Sequence, residues 1–67
     1  MNLLVNGDAH QFIEGTLSLS ELIERLRLSG QPLVVELNGQ ALLGREHQGI
    51  RLKDGDRIEI VRIVAGG

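Results

Sequence analysis

Residues 17–32 contain the start, the buried face and the stop of a single helix, and this segment limits what the rest of the chain can become. Ser18-Leu19-Ser20-Glu21 is a capping box. In it the Ser18 hydroxyl accepts from the Glu21 amide and the Glu21 carboxylate reaches back to the Ser18 amide. Leu17 and Leu22 then stand at the two positions of a hydrophobic staple. Leu19, Leu22, Ile23 and Leu26 recur at i, i+3, i+4 and i+7, which puts them on one face. Glu21 and Arg25 are spaced as an i, i+4 ion pair, and Arg25 and Arg27 lie toward the negative end of the helix dipole. Gly30 suits the position just past the helix and Pro32 blocks its continuation. The spacing predicts a helix over residues 19–28.

Around it the chain reads as strands. Asn2 to Val5 and His10 to Glu14 flank Asn6-Gly7-Asp8, a turn whose residues tolerate positive φ. Leu33 to Leu37 is rich in β-branched residues and runs into Asn38-Gly39, a strong hairpin signal, with Ala41 to Leu43 returning. Gly44 to Gly49 is polar and irregular, with room for one short helical turn. Ile50 to Leu52 is extended or loop, Lys53 to Asp56 is a turn, and Arg57 to Val64 is the last strand. One helix and one sheet make a two-layer α+β domain. The predicted core is Leu3, Val5, Leu19, Leu22, Ile23, Leu26, Val35, Leu37, Ile58 and Ile60.

Composition narrows the chemistry. A chain of 67 residues buries only about 60% of its unfolded surface, so it holds one thin core and no deep pocket. A formal charge of −2 argues against a general nucleic-acid binder, which needs a basic face. The absence of cysteine excludes disulfides, thiolate metal sites and a catalytic thiol. His10 and His47 are too few for a closed zinc site, and they read as solvated polar residues. Phe12 is the only aromatic residue, which excludes base-stacking platforms. No stretch approaches the roughly 18 apolar residues of a membrane helix, and no signal peptide is legible, so the default compartment is the cytoplasm. Gly7, Gly15, Gly39, Gly44, Gly49 and Gly55 stand singly at turns and never form a phosphate-loop spacing. No cofactor, metal site or catalytic residue is expected, and the chain reads as no enzyme.

The last strand breaks its own alternation. Ile58 and Ile60 point one way and Arg57 and Glu59 the other, but Arg62 then stands where an apolar residue belongs. Val61 and Ile63 are apolar on the opposite parity. Two readings stand side by side: a bulge or flanked central strand near Val61, and an uncovered apolar patch of Val61, Ile63 and Val34 where a partner docks.

That strand runs almost directly into Val64-Ala65-Gly66-Gly67. Taken alone, a terminal diglycine arises by chance in roughly one chain in 200 and reads as a frayed end. Beside a strand with no spacer it is a thin wire ending in a free α-carboxylate. Gly lets such an end approach another backbone closely. If the carboxylate is activated as an acyl-adenylate, Gly67 offers an unhindered carbonyl and no stereocentre to racemise. With no phosphate loop in the chain, an ATP-using partner is implied.

The Asn6 hairpin, Val35 to Asn38, Arg45 after Leu43, Asp54-Gly55-Asp56, and Ile58-Glu59-Ile60-Val61 running to Ala65-Gly66-Gly67 together resemble the ThiS family of sulfur carriers in thiamin thiazole biosynthesis, within the ubiquitin-like β-grasp superfamily. The resemblance covers the whole chain. It implies a β-grasp domain over 1–64, a mixed sheet of four to five strands with one helix on one face, and a flexible diglycine tail at 65–67. It implies that the Gly67 carboxylate is adenylated by an E1-like enzyme of the ThiF type and converted to a thiocarboxylate. The sulfur is then delivered to a thiazole synthase of the ThiG type. Val61, Ile63, Ala65, Gly66 and Gly67 are the expected partner-binding residues, with no nucleic acid or membrane involved.

The chain departs from the family pattern at Gly44-Arg45, where many members carry Pro-Arg ahead of a loop aromatic. Arg45 reads as a cap on backbone carbonyls or as a partner contact, and Asp54 and Asp56 as turn formers. A related carrier for molybdopterin or another cofactor, a ubiquitin-like protein modifier, and an interaction module with an inert tail are the alternative functions.

Overall fold

The computed structural model describes residues 1–64, apart from the side chains of residues 44 and 45. The chain begins with strands β1 (Asn2–Val5) and β2 (Asp8–Gln11), joined by Asn6-Gly7. Val5 pairs with Asp8 across this turn, and Asn6 and Gly7 take φ of +50° and +84°. These are the values of a two-residue type I′ hairpin. That turn starts β2 at Asp8 rather than at the predicted His10, because the register leaves no third loop residue. β3 (Leu17–Ser18) leads straight into α1 (Leu19–Arg25). β4 (Leu33–Leu37) and β5 (Gln40–Leu42) form a second hairpin around Asn38-Gly39, with φ of +50° and +85°. A 3₁₀ segment (Gly44–Gly49), β6 (Arg51–Leu52) and β7 (Arg57–Arg62) complete the chain.

The main sheet has the order β2-β1-β7-β4-β5. β1 and β7 run parallel, and the other pairs are antiparallel. The first and last strands thus meet inside a mixed five-stranded sheet, as the β-grasp resemblance implies. β3 and β6 form a separate two-stranded ladder.

Both halves of the capping box form. The Glu21 amide donates to Ser18 Oγ at 3.0 Å, and the Ser18 amide donates to Glu21 Oε1 at 3.3 Å. Hydrogen bonding from the Ser18 side chain and from its backbone amide holds the Glu21 carboxyl below its ordinary value. The helix is shorter than predicted, ending at Arg25 with Leu26 as its cap. The Leu28 amide donates to Ile23 O at 3.0 Å and the Arg27 amide to Glu24 O at 2.9 Å, the bond pair of a Schellman motif. Its left-handed residue is Arg27, at φ +61°. Gly30, expected to fill that place, takes φ +78° in the next turn instead. The motif brings the apolar Leu28 back against the core. Arg25 does not pair with Glu21. It bonds both carboxylate oxygens of Glu14 and lies over the Phe12 ring, 5.7 Å from its centroid. Glu21 faces Arg51 at 3.7 Å.

The core lies between α1 and the inner face of the sheet. Leu3, Val5, Leu19, Leu22, Ile23, Val35, Ile58 and Ile60 are buried as predicted. Leu26 and Leu37 are only half-buried, since Leu26 is already the helix cap and Leu37 closes its strand. Leu17 and Leu52 are also fully buried. They pair across the β3–β6 ladder, which the sequence pattern of two short stretches does not announce.

Candidate functional site

β7 is the strand from which the chain leaves the domain, and side chains grip it from both sides. On the β1 side, the Asn6 amide group extends the ladder past the end of its strand. Ile60 N–H donates to Asn6 Oδ1 at 2.7 Å, and Asn6 Nδ2 donates to Ile60 O at 3.1 Å. On the β4 side, Arg57 N–H donates to Asn38 Oδ1 at 2.9 Å and the Asn38 backbone N–H donates to Arg57 O at 2.8 Å. The two Asn-Gly turns therefore do more than reverse the chain: each supplies a carboxamide that pairs with the backbone of β7.

The Asp54-Gly55-Asp56 turn completes the grip. Asp56 is buried, and both its oxygens are used: Oδ1 accepts from Asn38 Nδ2 at 3.0 Å and Oδ2 from Lys53 N–H at 2.9 Å. Asp54 Oδ1 accepts from Asn2 N–H at 2.7 Å. Gly55, at φ +88°, supplies the left-handed residue between them. These aspartates are turn formers, as expected, and also long-range ties between β1, β4 and the start of β7.

The alternation of β7 resolves without a bulge. The β4–β7 register is continuous from Leu37↔Ile58 to Leu33↔Arg62. Ile58 is 0% exposed and Val61 is 61% exposed, so Val61 belongs to the outer face with Arg57 and Glu59. Arg62 falls on the inner parity beyond the last core residue, where its guanidinium donates to Gln31 Oε1 at 3.0 Å. Ile63 keeps the strand direction by donating its N–H to Pro32 O at 2.9 Å.

The outer face therefore carries an uncovered apolar patch where β7 ends. Val61 lies directly opposite Val34, and Ile63 follows on the same parity. Continuing the Val35↔Leu42 register sets Leu43 beside Val34. All four are exposed. The sequence pattern had named Val61, Ile63 and Val34; Leu43 joins them through the hairpin register, which only the fold supplies. Ala65, Gly66 and Gly67 lie outside the described residues, as does the side chain of Arg45.

The helix-bearing side offers less. A shallow, open groove of about 390 Å³ runs between α1 and the 3₁₀ segment, lined in part by Glu24, Leu28, Gln31 and His47. His47 is not the solvated residue expected. Its Nε2 is buried with no hydrogen-bond partner, because the 3₁₀ segment folds back against α1. His10 is half-buried and stacks with Phe12 at 6.4 Å between ring centroids. Among the described residues, no His, Asp and Glu side chains gather as a metal site, and no helix is long and apolar enough to cross a membrane.

The ThiS family model matches residues 3–67, which takes in the last strand, the apolar patch and the terminal glycines together. The chain belongs to the ThiS family. It is similar to the sulfur carrier protein ThiS of Thermus thermophilus, with 35% identity over 63 residues covering 94% of this chain and 95% of that one. It also resembles the crystal structure of the thiamine biosynthesis protein ThiS from Geobacter metallireducens. There the TM-score is 0.86 at 33% identity, with both chains fully covered. The solution structure of a thiamine biosynthesis protein from Geobacter metallireducens matches with a TM-score of 0.80 at 34% identity, covering 100% of this chain and 88% of that one. The β-grasp fold expected from the sequence is thus the fold of ThiS relatives at the same length.

Proposed function

We propose that this ThiS-family chain is a sulfur carrier of thiamine biosynthesis and that Gly67 carries the sulfur. The observation that supports this most is a last strand, hydrogen-bonded on both sides, that leads into the diglycine. β7 is held by carboxamides on both sides, borders an uncovered apolar patch, and is followed within five residues of Arg62 by the chain's last carboxylate.

A carboxylate is a poor acyl donor until one oxygen becomes a leaving group. An E1-like adenylating enzyme supplies that step. The Gly67 carboxylate oxygen attacks the α-phosphorus of ATP, pyrophosphate leaves, and an acyl-adenylate forms. A sulfide equivalent then attacks the carbonyl carbon and AMP leaves, giving the thiocarboxylate. A thiazole synthase receives the sulfur. Throughout, this chain contributes the acyl group, its presentation and the docking surface, and the partners contribute the catalysis. Val61 and Ile63 dock on the activating enzyme, and Ala65-Gly66-Gly67 enters its site.

Deletion of Gly67 tests the proposal. It shortens the tail by about 3.3–3.6 Å, more than the roughly 1 Å misplacement that already costs about a hundredfold in rate. The truncated chain should keep its melting temperature but lose ATP–pyrophosphate exchange with the adenylating enzyme. In intact-mass analysis it should lose the exchange of one oxygen for sulfur. A truncated chain sulfurated as fast as the parent would refute the proposal and favour a plain interaction module.

A further inference from the structure

The outer face has a second zone beside its apolar patch. Glu36 and Glu59 are direct cross-strand partners in the β4–β7 register, and both are exposed. Opposite residues on one face of an antiparallel pair have Cβ atoms about 4.5–5.5 Å apart, and like charges placed there are destabilising. Among the described residues, the ion pairs are Arg25 with Glu14 and Arg51 with Glu21, so neither carboxylate of this pair is neutralised. Arg57, two positions before Glu59 on the same face, forms no ion pair with either. The next row along both strands is Val34↔Val61. A solvent-facing sheet selected for stability alone gains nothing from opposing two glutamates next to exposed valines.

We infer that Glu36 and Glu59 form the charged half of the docking face and receive a lysine or arginine of the activating enzyme, set beside an apolar patch that meets Val34 and Val61. The inference rests on the proposed sulfur-carrier reading and adds to it the chemistry of the partner's surface. The two carboxylates converge on one side of the sheet, so a single cation approaching from solvent neutralises both. Paired acidic groups also steer the chain onto a basic site before the apolar contacts form. The apolar patch holds the complex, and the glutamates select the partner and fix its register.

The test is the E36Q/E59Q double variant, with the adenylating enzyme of the same organism as the probe. A purely structural role and a docking role differ in sign. Removing the repulsion should raise the melting temperature at low salt, by about 2–6 °C for a domain of this size. The same change should weaken binding to the enzyme by about three- to tenfold and flatten its salt dependence. Val61 and Gly67 are untouched, so the bound variant should still be adenylated at saturating enzyme. Binding and salt dependence equal to those of the parent would overturn the inference and leave the carrier reading intact. A variant that binds the enzyme more weakly because it self-associates, seen by sedimentation, would also overturn it and assign the face to a second copy of the chain. A parent chain that the enzyme neither binds nor adenylates would instead overturn the carrier reading itself.

Discussion

The two faces of one sheet follow different rules. On the inner face, Leu3, Val5, Val35, Ile58 and Ile60 are buried against α1, each flanked along its strand by exposed residues. On the outer face, the same strands expose Leu4, Val34, Val61 and Ile63 and oppose Glu36 to Glu59. The inner face minimises the free energy of the isolated chain. The outer face does not, since it leaves apolar surface in water and like charges adjacent. Adjacent residues on β7 thus answer to different requirements: Ile60 is buried in the core, and Val61 beside it is exposed on the face assigned above to docking.

The largest effect is expected in the core. Ile58 lies at the centre of the inner face with no exposed surface, so Ile58→Ala should cost about 2–5 kcal/mol of unfolding free energy in urea titration. For a domain this small that is a large share of total stability. A loss below about 0.5 kcal/mol, the usual size of a surface substitution, would mean that the inner face is not the core.

A smaller effect is expected where the two faces share a support. Asn6→Ala removes both carboxamide bonds to Ile60 and places Ala at φ +50°. The expected cost is about 1–3 kcal/mol. Asn6→Gly, which accepts that φ, should recover part of it, and the remainder measures the clamp on β7. Equal stability of the glycine variant and the parent would show that Asn6 matters only as a turn residue.

Much of this architecture was legible in the chain itself. The capping box, the helical face and the two Asn-Gly turns are local signals, and local hydrogen bonds realise them. The resemblance to the ThiS family rests on the Asn6 hairpin, Val35 to Asn38, Arg45, the Asp54-Gly55-Asp56 turn and above all the last strand and terminus, and the family match over residues 3–67 covers them all. What the sequence concealed depends on contacts between distant residues. The helix stops at Arg25 because a Schellman turn with Arg27 in the left-handed region folds Leu28 onto the core, where Gly30 looked the better stop. Leu52 reads as extended or loop, and the choice of strand stays hidden because its partner, Leu17, is 35 residues away in sequence (52 minus 17). The outer patch was half-visible: parity flagged Val61 and Ile63, but only the absence of a bulge in the β4–β7 ladder decides that they face solvent. The opposition of Glu36 and Glu59 exists only in that register.

The central claim is that the outer face of β7 serves docking and not folding, and Val61→Asp measures both in one variant. Thermal unfolding and ATP–pyrophosphate exchange with the adenylating enzyme should be recorded side by side with the parent. Because Val61 is 61% exposed, the melting temperature should stay within about 2–4 °C of the parent, the range of a surface change of about 0.5 kcal/mol. Exchange at low enzyme concentration should fall at least about tenfold, as expected for a buried, unpaired carboxylate in an apolar contact. A variant that unfolds while its folded fraction exchanges normally, or that melts and exchanges like the parent, would contradict the assignment of this face.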